Sequence, residues 1–376
     1  MNNFFRSFLI VLTISIFPGC KENPKLQTNT EGEFSALVVF LVGDIQYGDS
    51  KVRVGELLKP GKTLSIGKRS FVDLQFLNSG PGITIRVREN SLLEFHSEAI
   101  KNVSEYRFQL HRGESLFRIT KLLKEMKVKV DTPNASMGVR GTEFLVRAGE
   151  FSEVQTLEGS LSIRPDHPVL QRFSPEISKE SKLLSSANRI LSTSELILDS
   201  GKRVRITDEE RDKILENGNL KSILENEQVE EILRQELQSP DPISNAGDLD
   251  SLGTISELKE DSVKSILKTG SLTPEEKKSL EKEYSELKEL PRDTLKSLSE
   301  SDLKESVLAF NQKREKELKK KIESFFGKNS EILILKDGRK IEGIILEEGE
   351  RVFALTPEGK LEFDKSEIDS QEILKK

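Results

Sequence analysis

The sequence predicts a multidomain α+β protein with an antiparallel β sandwich or barrel first, a helical middle region and a small β-barrel at the end. Three changes of pattern along its 376 residues predict this class. Residues 34–165 alternate apolar and polar side chains in short runs, which is typical of strands buried on one face. In 71–77, for example, Val72, Leu74 and Phe76 are predicted on the core face, with Asp73 and Gln75 on the other. Residues 207–329 change to a helical period of about 3.6. Residues 330–376 return to alternation around Asp337-Gly338, a strong hairpin signal.

The N-terminus is typical of a secreted chain. One basic residue, Arg6, precedes an uncharged apolar run at 8–17, and Gly19-Cys20 follows. A basic start, a short apolar core and a small residue at its end predict a signal peptide over 1–19. The run is shorter than the roughly 20 residues that span a bilayer. Cys20 is the only cysteine in the chain, so no intrachain disulfide is possible.

A cysteine at this boundary resembles the lipobox of bacterial lipoproteins, although Phe17 and Pro18 depart from the usual residues. The resemblance implies cleavage before Cys20, acylation of its thiol and new amino terminus, with palmitate among the acyl chains, and a lipid-anchored protein of the bacterial cell envelope. Lys21 after the cysteine is not the Asp that often retains such lipoproteins at the inner membrane, so the resemblance implies the outer membrane rather than the inner membrane. The alternative is an ordinary secretory peptide with an unrelated cysteine. Residues 20–33 are almost free of apolar side chains and predict a flexible tether.

Residues 166–206 are predicted to connect the β region to the helical region. Pro175 suits the first position of a helix. Two short apolar runs at 195–206, joined by a turn, predict a β-hairpin that returns to the β domain. Further on, Thr207 and Thr273 each precede a Glu by three residues, which is the spacing of a capping box at a helix start.

A second resemblance lies within the β region. Thr132-Pro133-Asn134-Ala135 is followed by Val139-Arg140-Gly141-Thr142-Glu143-Phe144-Leu145-Val146, and then by two strands joined at Gly159. This order resembles the FecR domain over residues 34–165. The resemblance implies a two-layered antiparallel β domain of jelly-roll type. In the name-giving proteins this domain is the periplasmic sensing part of a transmembrane signal regulator for iron uptake, and a cytoplasmic segment before the membrane helix controls a sigma factor. Only seven residues precede the apolar run here, so direct control of a sigma factor is not expected.

We expect the residues of the family motif to be structural, namely Thr132, Pro133, Val139, Arg140, Gly141 and Thr142. Gly141 is expected where the backbone needs positive φ or a close approach. Arg140 lies between Val139 and Gly141, so we expect it to be partly buried and paired with a carboxylate or with carbonyls. The alternative is that Arg140 contacts a ligand.

The sequence contains no pattern that predicts catalysis or metal binding. Its three histidines, His96, His111 and His167, have no second His or Cys at ligand spacing. Residues 113–116 lack the final Gly of a nucleophile elbow, and no Gly-rich phosphate loop is present. Charged residues make up 32% of the chain, so no carboxylate pair stands out as acid and base. We therefore expect neither catalytic residues, nor a metal, nor a cofactor.

These observations favour a non-enzymatic, lipid-anchored envelope protein whose FecR-like domain binds or scaffolds envelope components. Besides the membrane, the expected partner is a protein or a glycan of the envelope, and no nucleic acid is expected. One alternative is a sensor or adapter that relays a ligand signal to a second protein. A less favoured alternative is a hydrolase of envelope polymers, which requires a cleft with converging carboxylates.

Overall fold

The structure is a computed structural model. It describes residues 34–77, 82–100, 103–120, 126–173, 175–216, 220–238, 246–253, 266–291, 299–357 and 359–374. The predicted signal peptide (1–19), Cys20 and the tether (20–33) lie outside the described residues. Glu33–Lys376 form one compact unit. Its described part mixes helices with a larger share of β-strands, as the predicted class requires.

The first region consists mostly of short strands, as the alternation predicts, and β9, with 17 residues, is the exception. They are β1 (Ser35–Val42), β2 (Ile45–Tyr47), β3 (Ser50–Lys51), β4 (Leu57–Leu58), β5 (Leu64–Ile66), β6 (Phe71–Leu77), β7 (Ile83–Val87), β8 (Leu92–Ile100), β9 (Val103–Ile119), β10 (Met126–Asp131), β11 (Ala135–Val139), β12 (Glu143–Ala148), β13 (Phe151–Glu158) and β14 (Ser160–Pro165).

These strands form two sheets that share one long strand. Sheet A runs in the order β1–β6–β7–β9–β12–β13. Sheet B runs β3–β2–β5–β8–β9–β10–β11–β14. Strand β9 joins both because its part before Gly113 pairs with β8 and β10, while its part from Gly113 onward pairs with β7 and β12.

Gly113 stands where β9 passes from sheet B to sheet A. Its φ is +94°, in the left-handed region that favours glycine. A Cβ at this position would lie 2.5 Å from the Cα of Ser91, so any larger residue collides with backbone. The bend in β9 therefore depends on this glycine.

One strand pair departs from the predicted antiparallel pattern. Strand β10 pairs parallel with the first half of β9, with Met126 opposite Ser104 and Asp131 opposite Gln109. The wholly antiparallel prediction is wrong here, because β9 ends in sheet A and β10 starts again beside the beginning of β9 in sheet B. The jelly-roll type implied by the resemblance stays a prediction.

The two sheets face each other across an aromatic core. The Phe76 ring of sheet A lies 5.1 Å from Phe95 and 5.0 Å from Phe108 of sheet B, edge to face in both cases. Phe117 stacks on Phe144 at 5.0 Å. Phe76 is 4% exposed and the other four rings are 0% exposed, so this packing excludes water from the domain interior.

The connector contains helices α1 (Pro168–Gln171), α2 (Pro175–Glu180) and α3 (Lys182–Thr193), followed by β15 (Leu196–Asp199) and β16 (Lys202–Thr207). Helix α2 starts at Pro175, as predicted. The two strands return to the β domain, but among the described residues they do not form the predicted hairpin ladder. Strand β15 pairs with β14 in sheet B, while β16 pairs with β13 in sheet A, because β13 and β14 already belong to different sheets at that point.

The next region is helical and includes one short strand. Its elements are α4 (Asp208–Glu216), α5 (Leu220–Leu224), α6 (Glu227–Gln238), α7 (Ala246–Asp250), β17 (Thr269–Ser271), α8 (Pro274–Glu286), α9 (Glu300–Lys313) and α10 (Glu315–Phe326). Both predicted capping boxes form: the Thr207 and Thr273 hydroxyls accept the backbone N–H of the Glu three residues later, and each Glu carboxylate accepts the Thr N–H in return.

The C-terminal region consists of β18 (Glu331–Leu335), β19 (Lys340–Glu348), β20 (Arg351–Thr356), β21 (Gly359–Asp364) and β22 (Ile368–Ile373). The predicted hairpin at Asp337-Gly338 forms between β18 and β19, with Gly338 at φ +87°. The sheet order is β21–β20–β19–β18–β22, and no ladder joins β21 to β22 among the described residues. The described sheet is therefore open, and the prediction that these strands close into a barrel is wrong.

Strand β6 is buried on both faces, which the alternation does not predict. Asp73 and Gln75 point away from the core, as expected, yet they are only 0% and 4% exposed. They are covered by residues 274–290, here called the strap, which comprises α8 and the extended segment after it. The Lys288 N–H donates to Asp73 Oδ2 at 3.2 Å. Gln75 binds the Leu290 N–H at 2.8 Å and the Leu290 carbonyl at 3.0 Å.

A buried ion pair lies under the strap. Arg86 Nε and Nη2 donate to the two Asp73 carboxylate oxygens at 2.6 and 2.7 Å, and Nη2 also donates to the Glu286 carbonyl at 3.0 Å. The side chains of Arg86 and Asp73 are 6% and 0% exposed. A bidentate pair in such a dry place satisfies groups whose isolated burial would be costly.

Further contacts fix the strap along sheet A. Arg118 of β9 donates to the Glu289 carboxylate at 2.8 Å and to the Tyr284 carbonyl at 2.8 Å. The Tyr284 hydroxyl donates to the Phe117 carbonyl at 3.1 Å. The strap therefore bonds to both side-chain and main-chain groups of the sheet.

The outer side of β1 is covered by later parts of the chain. Phe40 and Val42 pack in one buried cluster with apolar residues of α10 and of the C-terminal sheet, namely Leu318, Ile322, Ile344 and Leu355. Asn311 of α9 donates to the Val39 carbonyl at 3.1 Å. All eight residues of β1 are therefore buried.

We predict that Asp73→Ala lowers the free energy of unfolding by about 3–5 kcal/mol, because it leaves Arg86 charged and buried without its counterion. The measurement is the urea midpoint followed by circular dichroism. The control is Arg234→Ala, which removes an ion pair with Glu231 whose side chains are 62% and 49% exposed, and which we expect to leave the midpoint close to that of the parent. Equal effects of the two changes would contradict the role given to the buried pair.

Candidate functional site

A groove of about 900 Å³ runs across the outer face of sheet B and onto β15. We call it the motif groove because it contains residues of the Val139-Arg140-Gly141-Thr142 motif. Residues of β9, β10, β11, β14 and β15, and residues next to these strands, line the groove. Among them are Glu105, Lys127, Lys129, Ser136, Gly138, Arg140, Ser160, Ser162, Arg164, Glu195 and Ile197.

The strand register explains why this face is concave. Lys129 is opposite Gly138, Gly138 is opposite Ser162, and Ser162 is opposite Ile197, so these four residues form one row across four strands. Directly opposed residues share a face of the sheet. The row has two small residues in the middle and a long side chain at each end. A Cβ on Gly138 would lie 2.7 Å from the Ser162 hydroxyl, so a larger residue there requires that hydroxyl to move.

The motif groove carries more basic than acidic side chains. Lys127, Lys129, Arg140 and Arg164 line it, against Glu105 and Glu195. Two of the cations are partly engaged, because Lys129 Nζ lies 3.4 Å from Asp131 and Arg164 donates to Asn188 at 3.2 Å. Lys127 and Arg140 are exposed, and no ion pair to either is found among the described residues. The groove therefore offers cationic groups to an anionic ligand.

The structure corrects the expectation for Arg140. We expected a partly buried side chain paired with a carboxylate or carbonyls, but Arg140 is exposed and lines the motif groove. The reason is its register. Val139 points into the core at 2% exposure, so the next residue along the strand end points outward. The location is compatible with the alternative, a ligand contact.

Thr132 and Pro133 lie at the corner that leads from β10 into β11. The Thr132 N–H donates to the Ala135 carbonyl at 2.9 Å, and the Thr132 hydroxyl accepts the Ala135 N–H at 3.2 Å. That hydroxyl also lies 2.7 Å from the Ser152 hydroxyl. Thr132 is 1% exposed, so its side chain closes the corner internally rather than facing the groove.

Gly141 and Thr142 hold the turn at the other end of β11. Gly141 has φ +82°, and a Cβ on the neighbouring Gly159 would lie 2.5 Å from the Gly141 carbonyl oxygen. Thr142 is 2% exposed and its hydroxyl donates to the Ser160 carbonyl at 2.7 Å. These contacts keep the exposed Arg140 beside Ser160 at the groove wall.

Sequence reasoning missed Lys127, Lys129 and Arg164 as groove residues. The alternation in Lys127-Val128-Lys129-Val130 places both lysines on one face, which is a usable signal. The sequence does not show that β11 pairs with β14, which brings residues far apart in sequence to adjacent positions. Without that pairing the four cations do not form a group.

An acidic residue and a histidine, Asp166 and His167, follow the end of β14. Asp166, just after β14, is 2% exposed, and burial raises the pKa of its carboxyl. The next residue, His167, is the N-cap of α1, where its Nδ1 accepts the Val169 N–H at 3.3 Å. Burial, together with nearby Arg211, lowers the pKa of His167 to about 4. The cap therefore uses the neutral imidazole.

Neither a metal-binding cluster nor a membrane-spanning helix is found in the part of the chain that the structure describes. No group of three or more His, Cys, Asp or Glu side chains placed to hold a metal ion is found there. Among the same residues, no helix combines the length and the apolar character needed to cross a bilayer.

Comparison with known families identifies part of the chain. Residues 62–162 match the family described as "FecR protein". This confirms the resemblance for about a quarter of the chain, a shorter stretch than the predicted 34–165. The matched stretch includes β10, β11 and the first residues of β14, which form most of the motif groove.

Comparisons with whole proteins add little. No curated protein matches the chain. Two crystal structures of a provisionally assigned anti-sigma factor from Parabacteroides distasonis ATCC 8503, at 1.65 and 2.50 Å resolution, are similar to it at 15% identity and a TM-score of 0.26. The similarity covers 39% of this chain and 55% of that chain. The match thus spans about half the length of that protein, and at this level it carries no argument about function.

We predict that His167→Asn makes stability less sensitive to acid. The folded pKa lies below the unfolded value of 6.5, so the unfolded chain binds more protons and stability falls as pH drops from about 6.5 to 4. Asn keeps a capping oxygen but does not titrate. Between pH 7 and 4.5, the free energy of unfolding, measured by urea titration, should fall by about 1–3 kcal/mol less in the variant than in the parent.

Asp166, the preceding residue, is present in both the parent and the variant. Its contribution to the pH dependence of the free energy of unfolding therefore cancels when the two are compared. The control is His167→Ala, which also removes the imidazole but leaves the Val169 N–H without its capping acceptor and should therefore lower stability at pH 7. Identical acid sensitivity of His167→Asn and the parent would contradict the proposed cap.

Proposed function

We propose that this protein is a lipid-anchored component of the bacterial cell envelope whose motif groove binds an acidic, hydroxyl-rich glycan. The FecR match supports a role in envelope sensing or signal relay. The observation that carries the finer proposal is the groove itself: a floor of glycine and serine between basic side chains, within the matched stretch. No reaction is assigned to it.

The chemistry of the groove suits a sugar polymer with carboxylates or phosphates. Lys127 and Arg140 supply positive charge at exposed positions, and Arg140 can bind a carboxylate or phosphate through two N–H groups. Ser160 and Ser162 add hydroxyls that donate and accept hydrogen bonds. Ile197 is 64% exposed at the opposite side and gives an apolar surface for a sugar ring. A groove open to solvent fits an extended chain better than an enclosed small molecule.

A relay function is supported by one feature of the fold. Strand β9 contributes Glu105 to the motif groove and, further along, Arg118 to the strap. A ligand that shifts β9 would therefore act on the segment that holds the helical region to sheet A. This supports a sensor or adapter in which groove occupancy changes the surface shown to a second protein.

We predict that Arg140→Gln combined with Lys127→Gln weakens binding of soluble acidic muropeptides by roughly tenfold, because two charge-assisted contacts are lost. Isothermal titration calorimetry at low and high salt measures this, and the salt dependence should decrease together with the affinity. The charge-matched control is Lys277→Gln with Lys313→Gln, two exposed lysines outside the groove. Unchanged binding by the groove variant, or equal loss by the control, would reject the glycan proposal.

We predict that Cys20→Ser prevents lipidation and releases the protein from membranes. The expected result is loss of palmitate labelling and transfer from the membrane fraction to the soluble fraction, since two or more acyl chains make anchoring effectively permanent. The control is Ser7→Ala, which keeps the cysteine. A Cys20→Ser protein that stays membrane-bound and labelled would show that the anchor proposal is wrong.

A further inference from the structure

A second cavity, of about 710 Å³, lies between sheet A and the helices that cover it. Its walls come from β6, β7, α8, the end of the strap and α10, and we call it the strap cleft. It shares no lining residue with the motif groove. The two cavities are therefore separate sites.

The acidic side chains of the strap cleft already have partners. The Glu89 carboxylate accepts the Arg69 N–H at 2.6 Å, and Glu283 pairs with Arg88. Glu317 pairs with Arg314 at 2.9 Å. The fourth, Glu286, lies 3.6 Å from Lys321 Nζ. Three of these carboxylates are thus paired with cations, and the Glu89 carboxylate accepts a backbone N–H.

Three lysines in the same walls are not neutralised in this way. Lys282, Lys288 and Lys320 line the strap cleft, and no hydrogen bond or ion pair within 4 Å is found for their ammonium groups among the described residues. Lys282 and Lys320 are exposed at the rim. Lys288 is only 7% exposed. Its nearby carboxylates, Asp73 and Glu317, are held by Arg86 and Arg314.

The burial of Lys288 has an electrostatic cost that the protein alone does not offset. Burial, with Arg314 and Arg86 nearby, lowers the pKa of Lys288. Burial also lowers the pKa of Lys321, to about 8. Both shifts mean that the fold disfavours these charges. An ammonium that lines a cavity on an otherwise buried side chain, with no counterion within 4 Å, indicates that an anion can occupy the cavity.

The strap cleft also has an apolar wall. Phe325 of α10 is 46% exposed, and its ring lies 5.4 Å from that of Phe71. Lys321 Nζ lies 5.4 Å from the Phe71 ring centre, so cation and aromatic surface are adjacent. A half-exposed phenylalanine in a cavity that Lys282, Lys288 and Lys320 also line suits a ligand that has an anionic and an apolar part.

We propose that the strap cleft binds a phosphate-bearing ligand with an apolar substituent, its phosphate contacting Lys288 and the rim lysines Lys282 and Lys320, and its apolar part packing on Phe325. Phosphate is favoured over a single carboxylate because three ammonium groups require more than one negative charge and several acceptor oxygens. Such a ligand is either a lipid headgroup with its acyl chains or a soluble phosphate ester.

The test uses the full chain in a non-ionic detergent, with binding measured by calorimetry. Dihexanoyl phosphatidic acid is the lipid probe, inorganic phosphate is the free anion, and dihexanoyl phosphatidylcholine controls for micelle partitioning. Two variants address the site: Lys288→Met, which keeps an apolar chain of similar length but removes the ammonium, and the surface pair Lys282→Gln with Lys320→Gln. The matched control is Lys277→Gln with Lys313→Gln.

Each variant of the strap cleft should weaken phosphatidic acid binding by about tenfold or more, while the control and the groove variant Arg140→Gln with Lys127→Gln bind like the parent. Phosphatidic acid binding tighter than phosphate confirms both parts of the site. Equal binding of the two, lost in both strap-cleft variants, confirms the phosphate site and overturns the apolar contact. No saturable binding, or binding unaffected by these variants, overturns the proposal. The result is independent of the glycan proposal, because the two sites share no residue.

Discussion

The buried Asp73–Arg86 pair is the interaction on which the arrangement of the whole unit depends. Both side chains project from the outer face of sheet A, where an uncovered sheet would leave them in water. The structure makes that face dry by placing the strap over it, and the strap supplies the remaining partners: the Lys288 N–H to Asp73 and the Glu286 carbonyl to Arg86. Removing the strap would change the dielectric around the pair, and removing the pair would leave the Lys288 N–H and the Glu286 carbonyl of the strap without these partners.

Local signals in the sequence predicted local structure well. The capping boxes at Thr207 and Thr273, the helix start at Pro175 and the turn at Asp337-Gly338 all form where their residues specify. These features depend on neighbours within a few residues, so no knowledge of the fold is needed. The same reasoning placed Asp73 and Gln75 on the outer face of β6 correctly.

The sequence did not predict what lies on that outer face, because burial there depends on residues more than two hundred positions away. The division of β9 between two sheets has the same origin: Gly113 signals a special backbone position, but not a change of partners. Arg140 shows the limit for the candidate site. Its apolar neighbour suggested burial, whereas the end of the strand turned the side chain toward the groove. Non-local pairing decides these cases, and no local pattern encodes it.

The position of β1 has a consequence for how the chain acquires its structure. This first strand packs its outer face, with Phe40 and Val42, against α10 and the C-terminal sheet. A chain that leaves the ribosome, or crosses a membrane, with its N-terminus first presents that apolar face long before Ile344 and Leu355 arrive. During that interval the strand is open to wrong pairing and aggregation. Delivery of this protein therefore favours machinery that shields an early strand until synthesis or export is complete.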